Sequence, residues 1–200
     1  MSKKTILKFV LFFPLITNLA FSSSSEKNNL IGQDAPYWAL KTLEGNFEFL
    51  DNYSVPAGQS IRGDKVDNDR KVVVLSFFAT WCQPCVKEIG ELHKLQKKYS
   101  KEPVAFFLVD LTEFFRNQTS ESKYVKTLRA KEFLEKRGLY NISVLNDNRG
   151  IIAKKYGVSN ILPRLFIIDK YQKIVLDETG LCPSCFQDDV VNSIDIILNQ

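Results

Sequence analysis

Four cysteines stand in two Cys-x-x-Cys pairs, Cys82–Cys85 and Cys182–Cys185, and none is left over. That spacing is about one helical turn, so the two sulfurs of a pair meet as a disulfide or stand apart as a dithiol. Each pair also has the spacing of half a zinc site. Around the first pair the residues favour redox chemistry. Val72 to Ala79, just before it, is a β-branched and aromatic block of the buried-strand type. Val86 to Tyr99, just after it, carries Val86, Ile89, Leu92 and Leu95 at helical spacing. Cys82 therefore falls where a strand turns into a helix. The partial positive charge and free N–H groups of a helix start stabilise a thiolate, which makes Cys82 the attacking nucleophile and Cys85 the resolving thiol. Pro84 fits the first turn, where a missing N–H costs nothing.

The rest of the chain supplies the elements that hold this pair. Leu30 to Leu50 reads as a loop, a strand and a hairpin turn at Glu44-Gly45-Asn46. Positions 51–70, rich in Gly, Asp and Asn and without periodicity, read as an inserted surface loop, a solvated connection. Val104 to Val109 is a second buried strand, and Thr112 to Lys123 a loop or short helix. Tyr124 to Arg137 is helical by pattern, ending at Gly138. A short strand over Ile142–Leu145 and a short helix over Ile151–Tyr156 follow. Two strands, Leu165–Ile168 and Lys173–Leu176, then flank a turn, and a terminal helix runs from Phe186 to Leu198. Strands alternating with helices, then a hairpin and a helix, indicate an α/β sandwich.

Ala79-Thr80-Trp81-Cys82-Gln83-Pro84-Cys85 resembles the active-site motif of the thioredoxin superfamily, in its extracytoplasmic TlpA/ResA-like branch. The resemblance spans roughly residues 30–198. It implies an α/β, thioredoxin-like sandwich: a central mixed β-sheet flanked by helices, with an N-terminal hairpin extension. It implies a thiol-disulfide oxidoreductase that needs no cofactor or metal and acts on protein thiols and disulfides, drawing on a membrane electron donor. Cytochrome c maturation is a common role in this branch. By the same resemblance Trp81, Leu162 and Pro163 are substrate-binding. Pro163 matches the proline that is cis and faces the active-site pair, and Leu162 matches the residue whose backbone bonds an extended substrate. Thioredoxins carry a buried Asp six residues before the first cysteine, and here that position is Ser76. The TlpA/ResA-like branch instead places a Glu three residues after the second cysteine, here Glu88, to exchange a proton with Cys85. The lone His93 reads as a surface or half-buried structural residue.

Cys182-Pro183-Ser184-Cys185 departs from the family pattern. It opens the last helix, in a loop that lies on the active-site face in this fold. Three readings stand: a permanent disulfide, a second redox pair exchanging electrons with the first, and a four-cysteine zinc site. Two further functions compete for the whole chain. One is a thiol peroxidase, although Thr80 lies two residues before Cys82 rather than three. The other is a metal-binding or metallochaperone module that uses all four cysteines.

Charge and hydropathy narrow the setting. Of 27 Lys and Arg residues, Lys3, Lys4 and Lys8 face no acid in the first 22 positions, and the remainder nearly balance 23 Asp and Glu. No basic nucleic-acid surface is indicated. Residues 1–22 read as a signal peptide or N-terminal anchor, the apolar part covering 5–21, with 23–29 a linker and 30–200 the thioredoxin-like domain. The expected location is periplasmic or otherwise extracytoplasmic, with the membrane reached only through that N-terminal segment.

Overall fold

Val72–Phe78 buries every side chain, as a strand must when both faces of its sheet are covered. The structure, a computed structural model, describes residues 29–61, 69–118, 128–139 and 141–200. The expected signal or anchor over 1–22 and most of the linker lie outside the described residues.

In chain order the elements are β1 (Ala39–Thr42), β2 (Phe47–Phe49), β3 (Val72–Phe78), α1 (Gln83–Lys98), β4 (Val104–Asp110), α2 (Thr112–Gln118) and α3 (Ala130–Glu135). Then come β5 (Ser143–Asn146), α4 (Ile151–Lys155), β6 (Arg164–Ile168), β7 (Ile174–Thr179) and α5 (Phe186–Leu198). Among the described residues the strands form one seven-stranded sheet in the order β2-β1-β5-β4-β3-β6-β7. The central strands β5, β4 and β3 are parallel. β6 and β7 continue antiparallel on one side, and β1 and β2 on the other. This is the mixed α/β sandwich with an N-terminal hairpin that the sequence predicts. The hairpin joins the sheet edge through Lys41 opposite Asn146 and Thr42 opposite Leu145.

Side chains alternate across β3. Ser76 meets Glu88 of α1 on one face. Phe77, its neighbour, packs against Tyr156 after α4 at 5.6 Å between ring centroids. α5 lies beside α1: the Tyr99 hydroxyl donates to Asp195 at 2.7 Å and Gln187 donates to Glu91 at 3.1 Å.

Two segments differ from the sequence reading, and a third takes one of the two forms expected of it. The helix expected over 124–137 is present as Ala130–Glu135, and positions 119–127 lie outside the described residues. Of the loop or short helix expected from Thr112, the short helix forms, over Thr112–Gln118. The stretch 51–70 is no bare solvated connection, because Ser54, Val55, Ile61 and Arg70 are all buried. The Arg70 guanidinium donates to the carbonyls of Val55 (2.5 Å), Gln59 (2.5 Å) and Lys170 (3.1 Å). Ser54 donates to the carbonyl of Asp169 at 2.7 Å and accepts from the Gln172 N–H at 2.8 Å. The segment is thereby fastened to the β6–β7 turn. A polar composition hides this, since its anchors are themselves polar and find partners on a turn far along the chain.

Candidate active site

The chain leaves β3 at Phe78 and reverses within a few residues into α1. Two bonds fix that turn: the Cys82 N–H donates to the Ala79 carbonyl at 3.0 Å, and the Leu111 N–H to Phe78 at 2.9 Å. A threonine pair holds it from the side. The Thr80 N–H donates to the Thr112 hydroxyl at 3.0 Å, and the Thr80 hydroxyl to the carbonyl of Leu128 at 2.7 Å. Thr112 in turn donates to the buried Asp110 carboxylate at 2.5 Å. Burial pushes the Asp110 carboxyl above its ordinary range, against the pull of its bonds to Thr112. The sequence offers little sign of this brace, because Thr80 and Thr112 belong to different crossovers.

Cys82 is the N-cap of α1, in extended conformation, and its sulfur accepts the Cys85 N–H at 3.2 Å. The first turn contains no acid and has Pro84 near its start. Cys82 and Cys85 are joined by a disulfide of 2.05 Å, and both are buried. The helix start and the N–H on sulfur are what stabilise a thiolate once the bond opens.

Glu88 follows Cys85 by three residues, the spacing of neighbours on one helix face, and is 2% exposed. Ser76 of β3 donates to its carboxylate at 2.5 Å. Burial pushes this carboxyl up to about 7, the Ser76 hydroxyl pulls it down, and the negative charge of Glu178 adds a smaller upward push. Ser76, which stands where thioredoxins have an acid, is thus bonded to the acid supplied from the helix.

The remaining expected positions gather at the same end of the sheet. Phe77 pairs with Arg164, so Pro163, one residue earlier on its strand, lies beside the end of β3 where the Cys82 turn begins. The Leu162–Pro163 bond is cis, as the resemblance implies. Leu162 is buried, whereas Ile161 before it is 58% exposed. Trp81 is half-buried, its ring edge-on to Phe115 at 5.4 Å. His93 is half-buried further along α1, and the little burial it has, with Lys97 nearby, holds its imidazole below the ordinary value.

Cys182 and Cys185 are also disulfide-bonded, with Cα atoms 5.5 Å apart. Here the expectation needs correction: the pair does not open the helix in the way Cys82 opens α1. Cys185 is the N-cap of α5, and Cys182 sits a turn earlier, its carbonyl accepting the Phe186 N–H at 2.9 Å. Asp188 and Asp189 occupy the first turn of α5, which favours helix formation but works against a thiolate there. A small cavity has Glu88, Cys182 and Cys185 on its wall. Each pair closes on itself, and among the described residues no three His, Cys, Asp or Glu side chains are grouped to hold a metal.

Residues 31–176 match the family model described as the AhpC/TSA family. The thiol-disulfide oxidoreductase ResA of Bacillus cereus is 29% identical over 157 residues, covering 78% of this chain and 74% of that one. The thioredoxin-like protein YneN of Bacillus subtilis is 35% identical over 139 residues, 70% of this chain and 65% of that one. Among solved structures, the thioredoxin domain of a thiol-disulfide oxidoreductase from Bacteroides vulgatus superposes with a TM-score of 0.58 at 18% identity. It covers 84% of this chain and 98% of that one.

Proposed function

The chain belongs to the AhpC/TSA family as a ResA-like thiol-disulfide oxidoreductase, and from that premise we propose that Cys82 and Cys85 are its working dithiol, reducing disulfides of exported proteins. The observation that carries this reading is the geometry of Cys82: an N-cap sulfur accepting the Cys85 N–H in a first turn without acids. The Cys82 thiolate attacks one sulfur of a substrate disulfide, forming a mixed disulfide and releasing the other as a thiolate. Cys85 loses its proton and attacks Cys82, which frees the substrate as a dithiol and leaves the Cys82–Cys85 disulfide. Glu88, a turn from Cys85 and with its carboxyl raised to about 7, is the proton acceptor in this reading. In this reading Trp81, Leu162 and Pro163 are the residues that an extended substrate strand would meet.

The reductive direction is supported by Gln83-Pro84 between the cysteines, which lacks the His of strongly oxidising family members. A reductase of this kind needs its disulfide reopened, and a membrane electron donor is the proposed source. Export to an extracytoplasmic compartment, with residues 1–22 as signal or anchor, fits the basic and then apolar start of the chain. Among the described residues no helix is long and apolar enough to cross a membrane. Apocytochrome c is one fitting substrate.

Cys82→Ser is expected to abolish reduction of a model protein disulfide, and Cys85→Ser to accumulate mixed disulfides with natural partners, seen as bands that vanish on reduction. Retained activity in Cys82→Ser together with no trapped species in Cys85→Ser sinks the assignment. Identifying the trapped proteins tests the cytochrome c reading.

A further inference from the structure

We propose that Cys182–Cys185 is a second redox-active pair that trades electrons with Cys82–Cys85, and that Glu88 passes the proton between them. This rests on the reading of Cys82–Cys85 above and extends it to a second site.

The second pair repeats the hydrogen bonding of the first. The Cys185 N–H donates to the Cys182 sulfur at 3.3 Å, as the Cys85 N–H does to Cys82 at 3.2 Å. In both, the leading sulfur accepts the N–H that favours negative charge on it; at the second pair this bond acts against the opposing charges of Asp188 and Asp189. The pairs also lie at the same end of neighbouring helices. The bonds Gln187–Glu91 and Tyr99–Asp195 each link residues 96 apart in sequence, so α1 and α5 run parallel in constant register. At that offset Cys185, the N-cap of α5, stands level with Ile89, next to Glu88. Transfer requires the loop that carries Cys182 to bring a sulfur of one pair to bonding distance, about 2 Å, of the other. The loop that must swing begins at Gly180, whose φ of 76° suits glycine. The Gly180 N–H donates to the Pro163 carbonyl at 2.8 Å, which ties the loop's base to the cis-proline turn of the first site.

Glu88 connects the two. It sits a turn from Cys85 on α1 and lines the same small cavity as Cys182 and Cys185. Glu178 and Asp189 also face that cavity, from β7 and α5. A carboxyl placed there serves either pair. A permanent staple would need no such neighbour.

A dithiol of a partner protein first opens Cys182–Cys185, itself becoming a disulfide. The Cys182 thiolate then attacks the Cys82 sulfur, the Cys82–Cys85 bond breaks, and Cys85 leaves and takes the proton of Glu88. Cys185 next gives its proton to the Glu88 carboxylate and attacks Cys182, releasing Cys82 as a thiolate. Two electrons have moved to the first pair, the second is a disulfide again, and Glu88 has regained its proton. The half-exposed second pair is the entry for the reductant, and the same steps in reverse let electrons out there.

The test uses the full chain with Cys85→Ser and Cys185→Ser combined, treated with oxidised glutathione and analysed unreduced by peptide mass spectrometry. A Cys82–Cys182 disulfide is expected in most of the protein. Its absence, with native circular dichroism and both thiols open to alkylation, overturns the proposal. Should that variant misfold, Cys82→Ser combined with Cys85→Ser leaves the second pair alone for titration in dithiothreitol buffers. Reversible opening with an unchanged fold is expected, with a pH dependence that Glu88→Gln alters. A pair that opens only on unfolding, or whose pH dependence ignores Glu88→Gln, overturns it. Loss of model-disulfide reduction in Cys82→Ser reports on the first pair alone, so the two readings fail separately.

Discussion

Glu88 is a carboxyl in a place built for leucine: it interrupts the buried face formed by Cys85, Ile89, Leu92 and Leu95. Its raised value has a stability consequence with a definite sign. Between the ordinary 4.5 and about 7 the unfolded chain ionises this group while the folded chain keeps it protonated, so stability falls as pH rises through that window. The fall is on the order of 3 kcal/mol for a shift of this size. Glu88→Gln removes the titration, so urea unfolding of the oxidised protein should show the variant gaining on the parent by about that amount between roughly pH 4 and 8. In catalysis the parent's pH–rate profile should bend near 7, and the bend should be missing in Glu88→Gln. A parallel pair of curves in either measurement removes Glu88 from its role. The resemblance marked the position of Glu88, and the structure shows its burial. Its bond to Ser76 was not legible, since that bond joins a helix to a strand through the packing between them.

At the scale of elements, the segment before β3 is held by polar groups rather than by an apolar face. Arg70→Ala removes three charge-assisted bonds and leaves the carbonyls of Val55, Gln59 and Lys170 without that donor. The expected loss is about 3 kcal/mol in urea unfolding. Arg70→Lys should recover little of it, because an ammonium cannot reproduce the planar fork. A loss under about 0.5 kcal/mol, the level of an ordinary surface change, would mean the segment is free after all. Hydrophobic periodicity is silent here because the segment has none. Periodicity was informative where an apolar face exists: α5 runs from Phe186 to Leu198 as the sequence predicts, with Val190, Ile194 and Ile197 buried. It placed the start of α5 well and the role of Cys182 less well, since the turn at Pro183 and Ser184 sets the pair one turn outside the helix.

Across the whole molecule the central strands were the most legible part, because strands covered on both faces are written as unbroken apolar runs. Their order was not legible, since an apolar run does not say which neighbour it will pair with. The resemblance supplied the mixed sheet and the cis bond at Pro163, and the structure alone supplied the order. Both disulfides span a sequence separation of only 3. In the chain-entropy view a loop that short contributes about 2 kcal/mol, against about 4.7 for a loop of roughly a hundred residues. The sheet and its helices, not the sulfur bonds, therefore hold the domain together. Fully reduced protein should keep its far-ultraviolet circular dichroism and a single cooperative melt, lower by roughly 8–16 °C; a reduced form without such a melt would contradict this. Proteases and chaperones respond to how often a backbone opens, and that frequency stays small in both oxidation states. The enzyme's survival in its compartment is then independent of how many turnovers it has performed, and its replacement follows damage rather than use.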